Sequence, residues 1–145
     1  LFRNDAAFRA VILGAKKLGL NDFVILTGSE LTVDSALMAG AHGVVPGIGN
    51  IDPAGYVRIF DLVAAGKFEE ARKEQERLFE MFGLVDVGAP SRMGRGSSAI
   101  GAFKASLKHL GIIEDARTAP PAIALSADEI SAIVPFLKNA GLSVK

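Results

Sequence analysis

Two stretches decide the fold: Phe23-Val24-Ile25-Leu26-Thr27-Gly28-Ser29-Glu30 and Gly43-Val44-Val45-Pro46-Gly47-Ile48-Gly49-Asn50. Each is a short apolar run, partly β-branched, that passes directly into a glycine-containing turn. Neither alternates apolar with polar residues. That pattern predicts strands buried on both faces, as in a parallel sheet. The strands are expected at 23–26 and 44–45. Pro46 lacks an amide hydrogen and belongs at the end of the second strand.

Helical spacing surrounds these runs. Phe8, Val11, Ile12, Ala15 and Leu18 form a stripe preceded by Asn4 and Asp5 as the cap and stopped by Gly19. Residues 32–39 read as a short helix ending at Gly40. Asp52-Pro53 opens another, with the stripe Tyr56, Val57, Phe60, Val63 and Ala64 and a stop at Gly66. A further helix runs over 68–82, with Phe68, Ala71, Gln75, Leu78, Phe79 and Phe82 on one side and a charged opposite face. The stretch 88–98, rich in glycine and serine, reads as a loop. A helix closed by Gly111 follows, then a connector at Pro120-Pro121. Ser126 and Glu129 form a capping box opening a last helix that reaches Gly141, with a kink at Pro135.

The order is helix, strand, helix, strand, then helices alone. Two such short strands cannot make an independent sheet, so the pattern predicts the end of a (β/α)8 barrel, a fold of about 250 residues. Residues 1–66 are then the last βα units, carrying strands seven and eight, and 67–145 a C-terminal helical extension. The remaining strands are expected upstream of Leu1.

Composition narrows the function. The 145 residues carry 16 basic and 16 acidic side chains, no cysteine, and 50% hydrophobic residues. Zero net charge offers no electrostatic footprint for nucleic acid or for an anionic membrane surface. Absence of cysteine removes disulfides and thiolate chemistry. No apolar run is long enough to span a bilayer. A cytoplasmic protein is expected.

Barrel active sites lie at the C-terminal ends of the strands. That selects the turns at Gly28, Ser29 and Glu30 and at Gly47. Ser29 and Glu30 suit the hydroxyl groups of a polar substrate; the plainer alternative has the glycines making tight turns and Glu30 favouring a helix start. A phosphate site is disfavoured, because neither turn contains Lys or Arg. His42 and His109 are too isolated for a metal site. Tyr56 is read as packing in the core. Lys104 lies in the helical tail, away from any strand end, which argues against a nucleophile. Arg92 and Arg95 are read as solvent-exposed or at an interface.

The runs Ile25-Leu26-Thr27-Gly28-Ser29-Glu30 and Ala39-Gly40-Ala41-His42-Gly43-Val44-Val45-Pro46-Gly47-Ile48-Gly49-Asn50-Ile51 resemble the end of the dihydrodipicolinate synthase / N-acetylneuraminate lyase family. So do Ala64-Ala65-Gly66-Lys67-Phe68-Glu69-Glu70-Ala71 and the helix from Phe103 to Gly111. The resemblance implies a TIM barrel with a helical extension and a class I, Schiff-base, pyruvate-dependent aldolase or lyase needing no metal or organic cofactor. Its substrates would be pyruvate and an aldehyde, or a keto sugar acid, and the assembly a homotetramer. The resemblance puts the Schiff-base lysine and its tyrosine upstream of Leu1. Within this chain it implies a substrate pocket: the Val45 carbonyl close to the Schiff base, and Gly28, Ser29 and Glu30 along the aldehyde half. Gly47 falls where sugar-acid members carry a hydroxyl residue. Two departures stand out. Leu31 replaces the second of two consecutive acidic residues, and Pro46-Gly47-Ile48-Gly49 replaces a Ser-Val-Thr-Ala-like stretch. These favour a 2-keto-3-deoxy sugar acid aldolase or dehydratase as the alternative. A non-catalytic barrel paralogue that binds a keto acid is the other.

Overall fold

A computed structural model describes residues 2–145, with side chains from Ala6 onward. The chain divides into two compact units, Leu1–Glu76 and Arg77–Lys145.

The first unit begins with α1 (Phe2–Lys17). The helix is already formed at Phe2, so Asn4 and Asp5 lie inside it; their side chains fall outside the described residues. Gly19 ends it at φ 67°. Strand β1 (Leu26–Thr27) pairs in parallel with β2 (Gly43–Val44), Leu26 opposite Gly43 and Thr27 opposite Val44. The expectation of a strand over 23–26, buried on both faces, is corrected. A turn closed by the Phe23 amide on the Leu20 carbonyl takes up the start of that run. Beyond it the faces alternate: Ile25 and Thr27 are buried, whereas Phe23, Val24 and Leu26 are exposed. The second strand sits one residue earlier than expected, although the Val45 amide still donates to the Thr27 carbonyl. His42 adds a rung before the strand. Its amide donates to the Ile25 carbonyl at 2.8 Å, and its Nδ1 accepts the Ile25 amide at 2.9 Å, which fixes the ring hydrogen on Nε2.

Helix α2 (Val33–Met38) follows β1 and ends at Gly40, φ 107°. After β2, a 3-10 turn (Ile48–Asn50) leads to α3 (Pro53–Ala64). Asp52 caps α3 by accepting the Gly55 amide, with proline in the first turn, as the dipeptide predicts. The buried face of α3 is Gly55, Tyr56 and Ile59; Val57 and Phe60, expected in the core, are exposed. Helix α4 occupies Phe68–Phe82, the predicted span. Its buried stripe is Ala71, Gln75, Leu78 and Met81, while Phe68 and Phe79 are exposed. The i, i+3, i+4 spacing of the small and aliphatic residues fixed the face, and the aromatic rings fell beside it.

In the second unit a 3-10 turn (Gly83–Asp86) packs on α5 (Arg95–His109) through buried Leu84 and Val85. Close approach explains two glycines here: a Cβ on Gly83 would lie 2.6 Å from the Phe136 ring, and one on Gly101 2.9 Å from Leu125. Arg95 is the first residue of α5 and not part of a loop. Its guanidinium donates to both Asp86 carboxylate oxygens, at 2.7 and 3.0 Å, and lies over the Phe82 ring. Arg92 donates to the Ala124 carbonyl and pairs with Glu129. Both arginines therefore fasten the chain to itself. The Ser126 and Glu129 capping box forms as predicted, but the last helix breaks into α6 (Ala127–Ser131) and α7 (Val134–Asn139). Pro135 lies in the first turn of α7, where its missing amide costs nothing, and so starts a new helix where a kink was expected.

Candidate functional site

Parallel pairing of β1 and β2 puts their following turns at one edge of the sheet. The first turn is built by side chains on its own backbone. Buried Thr27 accepts the Ser29 amide on Oγ1 at 3.0 Å, and the Ser29 and Thr32 hydroxyls share a 2.7 Å hydrogen bond. In the second turn Gly47 adopts ordinary helical angles, and its carbonyl accepts the Asn50 side-chain amide at 2.8 Å. Gly49 has a steric reason to be glycine, since a Cβ there would lie 2.6 Å from the Pro46 ring. Gly28 has none: a Cβ there meets nothing within 4 Å.

Glu30 joins the two turns. Its Oε2 accepts the Ile48 amide at 2.7 Å. That amide begins the 3-10 turn and has no partner within it, so the carboxylate satisfies an otherwise open donor. The Glu30 carbonyl is held as well. The Tyr56 hydroxyl donates to it at 3.1 Å from α3, and the Gln75 Nε2 donates at 3.1 Å from α4. Gln75 is 5% exposed, and its Oε1 accepts the Val33 amide at 2.8 Å and the Asp34 amide at 3.4 Å. Burial, and then the Glu30 and Asp52 carboxylates, push the Tyr56 hydroxyl above the ordinary tyrosine range, so it stays a donor. Partial burial likewise raises the Asp34 carboxyl, against the opposing hydrogen bond from Ser35. Nearby, Arg58 bridges the buried Asp52 cap and Glu74.

Of the five residues read as substrate-binding, Gly28 and Ser29 line a cavity of about 650 Å³, together with Thr32 and Ser35 and with Phe8 and Arg9 from α1. Val45 lines a second cavity of about 530 Å³, with Val44, Pro46, Tyr56, Val57 and Phe60. Glu30 and Gly47 line neither: Glu30 ties the first turn to the Ile48 amide of the second, and Gly47 is held within its own turn by the Asn50 side chain. The five residues are therefore not all brought to one cavity. Sequence reasoning did not find the role of Gln75. The available signal was a side-chain amide inside an apolar stripe, which requires hydrogen-bond partners wherever it is buried.

Two of the other candidates have structural partners, whereas the buried Nε2 of His109 has none among the described residues. Lys104 donates from Nζ to the Arg117 carbonyl at 2.6 Å, and His42 completes the strand ladder. Among the described residues, no group of three or more His, Cys, Asp or Glu side chains is placed to hold a metal ion. No helix among them is long and apolar enough to cross a membrane.

Comparison with known proteins points one way. Residues 8–140 match the model of the dihydrodipicolinate synthetase family. A 4-hydroxy-tetrahydrodipicolinate synthase from Methanothermobacter thermautotrophicus is 34% identical over 70 residues, 48% of this chain and 24% of that protein. One from Bdellovibrio bacteriovorus is 27% identical over 122 residues, 84% of this chain and 39% of the relative. The structure superposes on dihydrodipicolinate synthase from Bacteroides thetaiotaomicron with a TM-score of 0.80 at 28% identity, covering 91% of this chain and 42% of that one. It superposes on YagE, a prophage protein of E. coli K12 solved with pyruvate, with a TM-score of 0.79 at 19% identity, a likeness of fold. The chain thus spans about two-fifths of the length of these solved structures.

Proposed function

The chain belongs to the dihydrodipicolinate synthetase family, a family of TIM-barrel proteins, and from that premise we propose that the protein carrying it is a class I, pyruvate-dependent aldolase or lyase. In this reading residues 1–66 supply the last two βα units of the barrel and 67–145 the C-terminal helical extension. A lysine elsewhere in the barrel forms the imine with pyruvate, and a tyrosine moves the proton. The imine draws electrons from carbon three of pyruvate, which then forms or breaks a bond to the carbonyl carbon of an aldehyde. This chain supplies pocket: the Val45 carbonyl beside the imine, Gly28 and Ser29 along the second substrate, Glu30 and Gly47 shaping the two turns. Homotetramer assembly and a cytoplasmic location belong to the same proposal.

One observation carries the reading. The parallel ladder and the bond between Glu30 and Ile48 gather both glycine-containing turns at one sheet edge, over the run that resembles the family. Gly28, glycine without a steric reason of its own, is consistent with a ligand approaching that backbone.

The partner of pyruvate is the finer question. Leu31 in place of a second acid, and Pro46-Gly47-Ile48-Gly49 in place of a hydroxyl-bearing stretch, make a 2-keto-3-deoxy sugar acid aldolase or dehydratase the alternative to a dihydrodipicolinate synthase-like reaction. The test is to incubate the full-length protein with pyruvate, reduce with borohydride and weigh it. One reduced pyruvyl group on a lysine outside residues 1–145 is expected. Absence of any adduct would favour a non-catalytic, keto-acid-binding paralogue.

A further inference from the structure

We infer that Gln75, which lines neither cavity, is a positioning residue for the candidate site: through Glu30 it sets the two strand-end turns against each other. This rests on the aldolase reading and adds to it the residue that governs how the second substrate is met.

Gln75 sits in the buried stripe of α4, between Ala71 and Leu78, where the neighbouring positions carry aliphatic side chains. The amide instead makes three hydrogen bonds to backbone 41 to 45 residues away. Its oxygen accepts the first amides of α2, and its nitrogen donates to the Glu30 carbonyl. The Tyr56 hydroxyl takes the other lone pair of that carbonyl. With its main chain held from α3 and α4, Glu30 directs its carboxylate to the Ile48 amide at 2.7 Å. The mechanical path therefore runs from Gln75 to Glu30 to Ile48, from one turn to the other. This assigns Glu30 a different principal role from that of a freely swinging hydroxyl ligand. One carboxylate oxygen is committed to the opposite turn, and the neighbouring Ser29 is held by Thr27 and Thr32. Groups held this way meet a substrate without losing conformational freedom at that moment.

The division of labour follows from where these bonds lie. They shape the two turns, and Gln75 itself lines neither the cavity beside Gly28 and Ser29 nor the one beside Val45. In the full-length protein, Gln75→Leu removes all three bonds. Gln75→Glu keeps the acceptor for Val33 but loses the donor to Glu30, and Tyr56→Phe loses the other donor. Pyruvate imine is trapped with borohydride, and turnover is measured against short aldehydes and 2-keto-3-deoxy sugar acids. Amide hydrogen exchange is followed at Val33 and Ile48. For Gln75→Leu, kcat/KM for the second substrate falls about 10- to 100-fold, mainly through KM, while imine formation stays within about twofold. The two milder variants shift KM in the same direction by less, and exchange at Ile48 rises in all three. Should Gln75→Leu fail to fold, the milder pair decides. The inference is overturned if Ile48 exchange stays at the wild-type rate while Val33 exchange rises, since Gln75 would then only tie α4 to α2. It is equally overturned if KM for the second substrate stays put, or if kcat/KM and imine formation fall together, in folded variants. A wild type that forms no imine defeats the aldolase reading instead, and exchange at Ile48 then decides the role of Gln75 alone.

Discussion

The turns at 28–32 and 46–50 in the first unit and the loop at 88–94 in the second all contain glycine, yet they are fastened by different means. In the first unit the ties are mostly neutral and buried: Tyr56 and Gln75, each 5% exposed, hydrogen-bond to backbone. In the second they are mostly charged, Arg92 to Glu129 and Arg95 to Asp86, beside one buried neutral bond from the Gly88 amide to the Ser98 hydroxyl. Neutral buried bonds are insensitive to salt, and leaving one partner unpaired is expensive. Exposed ion pairs are screened and individually weak. The first arrangement suits a surface that must keep one geometry. The second suits closure of a loop.

The largest effect is expected at Gln75. Gln75→Leu should destabilise the protein by about 3 kcal/mol, because the Val33 amide and part of the Glu30 carbonyl are left buried without partners. Denaturant unfolding in low and high salt should give the same loss; a loss that shrinks with salt would mean the first unit relies on charge after all.

A smaller effect is expected at Glu129. Hydrogen bonds from the Ala89 and Ser126 amides, aided by Arg92, hold its carboxyl down at about 2, below the ordinary 4.5. The folded state then binds this proton less readily than the unfolded one. The stabilisation is complete above about pH 4.5 and is lost as pH falls towards 2. Amide exchange across 88–95 should accelerate over that window in the wild type and lose this pH dependence in Glu129→Gln. The loops of the first unit should show no matching transition from their neutral ties.

Tyr56→Phe should cost about 1 kcal/mol, the value of one hydrogen bond with a second donor left in place. The sign of its pH dependence is opposite to that of Glu129. The folded hydroxyl holds its proton above the ordinary value of 10.0, so its contribution is complete below that pH and declines as pH rises beyond it. Alkaline denaturation of the wild type and of the phenylalanine variant should converge.

The smallest effect separates packing from approach. Gly28→Ala should change stability by less than about 0.5 kcal/mol, because nothing lies near the added methyl. A rise in KM for the second substrate at unchanged stability would show that the open side of Gly28 is used by ligand.

Local signals in the sequence were read well where the physics is local. Asp52-Pro53 and the Ser126 and Glu129 box start helices where they should. Gly19, Gly40, Gly66, Gly111 and Gly141, each placed as a helix stop, all take positive φ. Faces were read less well. Val57, Phe60, Phe68 and Phe79 are apolar yet exposed, because period and residue type do not say which neighbour a helix will meet. The turns of the candidate site were legible from glycine and from the parallel-strand pattern. The ties that hold them were not. A bond between Gln75 and Glu30 spans 45 residues and leaves no periodic trace. Even so, an amide among Ala71, Leu78 and Met81 was a visible anomaly.

His42 also sets the strand register. Two strands of two residues each are too short to choose their own alignment, and a slip of a single residue would turn Thr27 outward and Leu26 inward. The imidazole acts as a key cut for one notch: only when Ile25 faces it do both the ring nitrogen and the main chain find their mates. A side chain outside the strand thereby decides which residues emerge at its far end.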